Sequence, residues 1–409
     1  MGQRLQLAYW SIALTVAFIQ ASGPALGAED ADPKLHMLLI GEVFPLECPL
    51  PLLFESDPLY DYVAMRTREG PAGQLTEEMK RRYVKLYFPR TEKELQKYSM
   101  IFFIDADVSV FSARQSQQMY DSILKGYAGS FFTFGPEFPS VAASILGMIV
   151  PHNMGKDISM DWTGRSYRVE FVGGLPPVFT PFIDLGVENA VGIGCGFLAP
   201  RTGTTTWGNL VPRAYGPWII EWRYGGEGGH CWCVADDLDH SWWGNVHAGI
   251  HGLSENPWAM DIMSSLILYS AGRPLPEDVV VVARARDAFW EYRTERSVVL
   301  SLMEWVERFG ASTGSFSKKL GTIDTHLEDA TGLYISGDYG GALSELETAK
   351  ENARSLRQEV LKAKDRVLLW VYLIEYLVIC GTSVASGSLL WALMVKRRLY
   401  REIGTTRSI

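Results

Sequence analysis

The chain has no excess of positive charge: 38 Lys and Arg stand against 47 Asp and Glu, a formal net charge of -9 with a pI near 5.4. Gripping a phosphate backbone relies on clustered cations that release counterions, so nucleic acid is not the expected partner. Cysteine is scarce, five in 409 residues, and odd in number. That excludes a disulfide-dense scaffold and leaves at least one thiol unpaired within the chain. The bias of disordered chains is missing too, since 47% of residues are hydrophobic and 12% aromatic. At about 150 residues per domain the length holds two or three folded units, at least one with a sizeable core.

Long apolar runs stand out at the two ends. Leu5 to Ala21 is almost wholly apolar behind Arg4, Ser22 to Ala28 is rich in small residues, and Glu29, Asp30 and Asp32 follow at once. This is the pattern of a secretory signal over residues 1–28, with Ala25-Leu26-Gly27 suited to a peptidase. An uncleaved anchor is the alternative, disfavoured by the shortness of the run and the Gly and Pro at its end. Val367 to Val395 carries a single formal charge, Glu375, and is followed by Lys396, Arg397, Arg398 and Arg401. At about 1.5 Å per residue some twenty such residues cross a bilayer core, so a transmembrane helix is expected over 367–395, with the lipid bilayer as its partner. Lys350, Arg354, Arg357, Lys362, Lys364 and Arg366 precede the span, so counting cations leaves its orientation open. The export signal decides: the bulk is expected outside the cell membrane and the tail, 396–409, in the cytoplasm. Glu375 near the outer end reaches headgroups or takes a proton. Gly381 with Ala385, and Ser383 with Gly387, set small residues at spacing four, a face that permits self-association.

Before the span, Leu320, Ile323, Leu327, Ala330 and Tyr334 recur in steps of three and four. Ser336-Gly337-Asp338-Tyr339-Gly340-Gly341 breaks that helix. Ala342, Leu346, Ala349, Ala353, Leu356, Val360, Ala363 and Val367 then carry the same spacing into the membrane. Each stripe is too narrow to be buried alone, which predicts a coiled-coil-like antiparallel hairpin within a helical stalk, 294–366, whose second arm continues as the span. The turn also resembles that of a tetratricopeptide-type unit, but a solenoid core takes roughly three repeats. A spacer or assembly stalk, pairing copies of the chain or other envelope proteins, is the expectation.

Residues 29–293 alternate short β-rich runs with amphipathic helical stretches, the pattern of an α/β unit whose sheet is mostly parallel and flanked by helices. His36 to Ile40 and Met100 to Ile104 read as strands, the latter with consecutive apolar residues as burial on both faces requires. Ser112 to Lys125 reads as a helix capped by Ser112, and Gly129 to Phe134 as the next strand, turning sharply at Gly135-Pro136-Glu137. Trp218 to Trp222 and Cys231 to Ala235 form a two-strand pattern across a glycine-rich link.

The stretch from Tyr98 to Phe134, and the later one from Trp222 through Cys233-Val234-Ala235-Asp236-Asp237 to the helix Trp258–Tyr269, resemble the class I glutamine amidotransferase-like domain. The resemblance covers about two thirds of the chain and implies a flavodoxin-like sheet. It also implies membrane-attached relatives without amidotransferase activity, because the active enzymes need a cysteine on a strained strand-to-helix turn with His and an acid in reach. Here the matching turn is Gly135-Pro136-Glu137-Phe138-Pro139, without cysteine. Cys195, Cys231 and Cys233 lie in strand-like or glycine-rich contexts that suit buried small residues or one disulfide. His230, Cys231, Cys233 and His240 cluster, but residues 230 and 231 face opposite sides of a strand, so no metal or other cofactor is implied.

Ligands in open α/β sheets bind outside the carboxyl ends of the strands. Those ends carry Glu42, Asp105, Asp107, Glu137, Asp236 and Asp237, with His240 and Trp243 just beyond, and these eight are the candidate binding residues. Gathered on one rim, the carboxylates favour a cation, a polyol or a cationic peptide, and Trp242 and Trp243 offer a face for a sugar or a cation. Alternatively Asp105, Asp107 and Asp236 cap the turns that follow their strands. Two functions are therefore in play: a membrane-anchored extracytoplasmic binding, sensory or assembly protein without catalysis, or an extracellular hydrolase of glycans or peptides with Asp237 or Glu137 as acid or base and His240 assisting.

Overall fold

The computed structural model describes residues 33–44, 48–68, 75–155, 160–238, 242–244 and 256–406. The expected signal sequence, 1–28, lies outside them, as does His240. In chain order the strands are β1 (Leu35–Gly41), β2 (Tyr60–Arg66), β3 (Tyr98–Ile104), β4 (Gly129–Phe132), β5 (Met160–Phe171), β6 (Gly192–Gly196), β7 (Thr205–Val211), β8 (Pro217–Trp222) and β9 (Cys231–Val234). The helices are α1 (Leu50–Ser56), α2 (Glu77–Tyr87), α3 (Glu92–Leu95), α4 (Ala113–Leu124), α5 (Phe138–Ala143), α6 (Thr180–Ile183), α7 (Ala259–Ser270), α8 (Val279–Arg308), α9 (Gly314–Ser336) and α10 (Tyr339–Thr406). Ser112 starts α4 with a capping box: its hydroxyl accepts from the Gln115 amide, and the Gln115 side chain accepts from the Ser112 amide.

The strands form one sheet in the order β2-β1-β3-β4-β9-β8-β7-β5-β6. The first five run parallel, and every pairing from β9 to β6 is antiparallel. The sheet is therefore mixed, and the expectation of a mostly parallel one is corrected. Strands joined by a link as short as that between Trp222 and Cys231 must run antiparallel, because a parallel return takes a crossover of a dozen residues or more. Met37 to Ile40, Met100 to Ile104, Phe131 and Phe132 are all buried, as the centre of a sheet covered on both faces demands. On the antiparallel side Trp218 packs against both Trp242 and Trp243, with ring centroids 4.6 and 5.4 Å away.

Helix α8 passes unbroken through Arg293, the position at which body and stalk are expected to divide. Val279, Val282, Ala285 and Phe289 belong to the core of the head, while Tyr292, Val299, Met303 and Val306 enter a second core. The second core is shared with Leu320 and Ile323 of α9 and with Ala349, Ala353, Leu356 and Val360 of α10. The stalk thus has three helices, not two: α8 supplies the third apolar face that closes two narrow stripes. α9 turns into α10 at Gly337, whose φ of +92° lies in the left-handed region.

The packing of α8 against α10 is parallel, since Glu295 pairs with Arg357 at 3.0 Å and Lys364 lies 5.2 Å over the Trp305 ring. α9 is antiparallel to both, tied by Arg296 to Asp324 at 2.8 Å and by Lys319 to Glu359 at 2.6 Å. Beyond Val367, α10 leaves the bundle and exposes Leu369, Trp370, Tyr372, Leu377, Leu389 and Trp391. Its most apolar 18-residue window has mean hydropathy 1.9 and is 0% buried. It is the one helix among the described residues long and apolar enough to cross a membrane.

Candidate functional site

The rim at the carboxyl ends of the parallel strands is built from backbone close approach. Gly41, at φ +117°, ends β1 so near β3 that a Cβ there would overlap the Ile104 carbonyl. The Glu42 amide donates to that same carbonyl at 2.8 Å, which fixes Glu42 at the mouth between β1 and β3. Arg68 follows β2 and contacts both the Glu42 and the Asp105 carboxylates through one guanidinium nitrogen. Asp105 follows β3 with a φ of +39°, unusual for any residue but glycine or Asn/Asp. Its amide donates to Thr133 Oγ1 at 2.8 Å and its Oδ1 accepts from the Glu137 amide at 2.8 Å, so one residue clasps the ends of β3 and β4.

The chain turn at Gly135 is shaped by the same carboxylate. A Cβ on Gly135 would overlap the Asp105 carboxyl carbon and both its oxygens. The space that a nucleophile on this turn would need is already filled from the neighbouring strand.

Glu42, Asp105 and Glu137 are thus brought together, as their places at strand ends predict. Asp107 lies beside them but is turned away: its Oδ2 accepts from Lys80 Nζ of α2 at 2.9 Å, and its Oδ1 from the Ser109 amide at 3.0 Å and hydroxyl at 2.6 Å. Asp107 therefore takes the turn-forming role. Asp236 is fully buried at the end of β9 and accepts from the Tyr167 hydroxyl of β5. Asp237 is half-buried next to it. Trp243 is 0% exposed and stacks on Trp218. It presents no face to a ligand, which corrects the expectation of an aromatic platform, and Trp242 is enclosed in the same way.

The electrostatics are also less acidic than six strand-end carboxylates suggest. Arg68 and Lys80 stand among them, two cations that no strand-end count reveals. Burial pushes the Asp105 carboxyl up to about 6, against the opposing pull of Arg68 and the Glu137 amide. Burial raises Asp107 as well, but its bonds to Ser109 and Lys80 prevail and hold it below the ordinary range.

Asp105 gives the pH dependence a defined sign. Its folded value of about 6 exceeds the unfolded value of about 3.9, so the folded chain binds the extra proton and stability falls as pH rises between them. The contribution is fully present below about pH 4, and two units correspond to roughly 3 kcal/mol. Asp105→Asn keeps an acceptor for the Glu137 amide and tolerates the positive φ. It is expected to flatten the stability curve between pH 4 and 6 relative to the parent, as read by urea unfolding of the full chain in micelles. Parallel curves for parent and variant would refute the assignment.

Burial pushes Cys231 up to about 12 and Cys233 well above its ordinary value, whereas a nucleophilic cysteine needs a depressed value. His230, next to them in sequence, bonds through Nδ1 to Glu221 at 2.8 Å, and Glu221 also accepts from Trp207 Nε1 at 3.2 Å. This pair sits where β9 begins, at the opposite end of the parallel strands from Glu42 and Asp105. Two cavities among the described residues, of about 540 and 470 Å³, are lined by none of the eight candidate residues. No family model, curated protein or solved structure matches the chain.

Proposed function

We propose that the protein is a membrane-anchored binding or sensory module, with an extracytoplasmic head whose flavodoxin-like, amidotransferase-like core does no amidotransferase chemistry. The strand order β2-β1-β3-β4-β9 of the parallel half supports that fold. It is the doubly wound order in which the chain reverses direction between β1 and β3, the place where such sheets hold ligands. Glu42, Arg68 and Asp105 meet at that reversal. The observation that carries the non-catalytic reading is the Asp105 carboxylate lying where a side chain on the Gly135 turn would stand. Asp105 has the raised pKa of a general acid, but it is sealed from solvent and engaged on both oxygens, which favours binding over hydrolysis.

The exposed part of the site is an ion pair, with Glu42 17% and Arg68 19% accessible. Acceptor and donor side by side suit a neutral, hydroxyl-rich ligand such as a sugar or polyol better than a simple cation. The secretory pattern supports a head outside the cell and a C-terminus in the cytoplasm. Calorimetry of the full chain in micelles against neutral mono- and oligosaccharides is expected to give one binding event. Arg68→Ala should weaken it about tenfold or more, the worth of a hydrogen bond to a charged group. Glutamine or glycan hydrolysis by the same preparation, lost on Cys231→Ala or Glu137→Gln, would overturn the reading.

A further inference from the structure

We propose that the far end of the helical bundle, the α8–α9 turn with Trp305, Phe309 and Phe316, docks on the bilayer surface and holds the stalk upright as a second membrane contact beside the span. The proposal rests on reading Val367–Val395 as the span, and goes beyond it by assigning a lipid-facing role to residues remote from it in sequence.

The geometry comes from the register of the two parallel helices. Glu295 pairs with Arg357 and Trp305 with Lys364, so α8 and α10 climb together toward the apolar run. Trp305, Ala311 and Phe316 pack against the same core as Ala363 and Val367, where α10 becomes continuously apolar, and the Lys364 contact sets Trp305 three residues short of Val367. Phe309 lies four residues beyond Trp305, about 6 Å further along the axis at 1.5 Å per residue. That places it level with Leu368, inside the start of the apolar run. Wherever Val367 enters the hydrocarbon, Phe309 reaches the same depth.

The chemistry of the turn fits that depth. Phe309 is 49% exposed, with its ring centroid 4.4 Å from that of Trp305. Gly310, at φ +84°, follows the Phe309 cap of α8 and turns the chain back towards α9, so the aromatic pair lies at the end of α8. Trp370 and Tyr372, exposed on α10 within six residues of Val367, add amphipathic rings of the kind that marks a membrane interface. Residues 304–319 and 359–366 carry six cations, Arg308, Lys318, Lys319, Lys362, Lys364 and Arg366, against four carboxylates. Arg308 pairs with Glu304 and Lys319 with Glu359. The remaining cations sit at the height of lipid phosphates, where long basic side chains reach headgroups. A turn in water gains nothing from an exposed Phe beside a Trp, and a headgroup layer covers both.

The test uses the full chain in phosphatidylcholine–phosphatidylglycerol vesicles, in a Cys380→Ser background whose other cysteines are buried. Single cysteines replace Phe309, Ser344 at the head end of the stalk, and Leu390 in the span, each carrying an environment-sensitive fluorophore. The Phe309→Cys label is expected to emit blue-shifted relative to Ser344→Cys and to lose most of its emission to headgroup-level nitroxide lipids, with Leu390→Cys quenched by deeper ones. A Phe309→Cys label that emits as in water while Leu390→Cys is quenched overturns the docking and leaves the span standing. A label that is blue-shifted but beyond reach of every lipid quencher is covered by protein, a second copy included, and also overturns it. If Leu390→Cys escapes quenching as well, the span itself fails.

Discussion

Exchanging Arg286 for methionine is expected to lower the unfolding free energy by about 3–5 kcal/mol, the cost of breaking a buried ion pair by removing one partner. Arg286 projects from α8 into the head and donates to Asp261 Oδ1 of α7 at 2.7 Å, with only 8% of its side chain exposed. It is also the main electrostatic counterweight to the burial that raises Asp57. Asp57 ends α1 and is fully enclosed, where it accepts from the Leu59 amide at 2.9 Å and from the Tyr334 hydroxyl of α9 at 2.8 Å. One guanidinium thus balances two carboxylates at the joint between head and bundle.

Without it both acids take up protons in the folded state, so the loss should grow as pH rises through and above the ordinary carboxylate range near 4. Urea unfolding of the full chain in micelles at several pH values reads the effect. The triple variant Arg286→Met, Asp261→Leu, Asp57→Asn is expected to recover much of the loss, because an apolar replacement leaves no stranded charge. A cost below about 1 kcal/mol, the range of an exposed pair, would show that water reaches the joint.

The second large effect is at Gly135. Gly135→Ala drives a methyl into the Asp105 carboxylate, in a turn held by the Glu137 amide bond and the Phe138 amide bonding back to the Gly135 carbonyl at 3.1 Å. Overpacking of this kind costs up to about 3 kcal/mol where the backbone cannot yield. Asp105→Gly removes the obstructing group and accepts the positive φ. The double variant should therefore be more stable than Gly135→Ala alone, a coupling well outside the additivity of independent sites. Strictly additive losses in the cycle would mean that the turn moves aside. Gly135→Cys meets the same obstruction, so placing a thiol on this turn is expected to yield an unstable protein and no amidotransferase.

Part of this was legible in the sequence. Met100 to Ile104 and Gly129 to Phe132 are strands in the centre of the sheet, where apolar residues follow one another without alternation. The stripes from Leu320 to Tyr334 and from Ala342 to Val367 name the residues that interlock in the stalk. What stayed hidden has a common cause. β2 (Tyr60–Arg66) lies at the edge and carries Asp61 and Arg66 with its apolar residues, so no continuous apolar run marks it as a strand, and with it Arg68 goes unnoticed as the cation at the rim. β5, β6 and β7 are polar or glycine-rich and pair antiparallel, a register set by long-range packing that local pattern does not encode. Lys80 sits on a helix full of charge, and nothing in its spacing marks it as the partner of Asp107. Trp243 follows the end of β9, as a ligand platform would, and position alone does not distinguish that from a core residue; its burial and its stacking on Trp218 do.

The continuity of α10 has a consequence for where the protein meets its surroundings. Between Leu346, the last of its residues in the core of the head, and Val367, the helix rises about 30 Å at 1.5 Å per residue. α8 and α9 brace it along that interval, so the interval acts as a ruler and not as a tether. On the proposed reading, in which Val367–Val395 spans the bilayer and the head binds a ligand, the head is carried at one fixed height above the lipids, and that ligand must itself extend to that height.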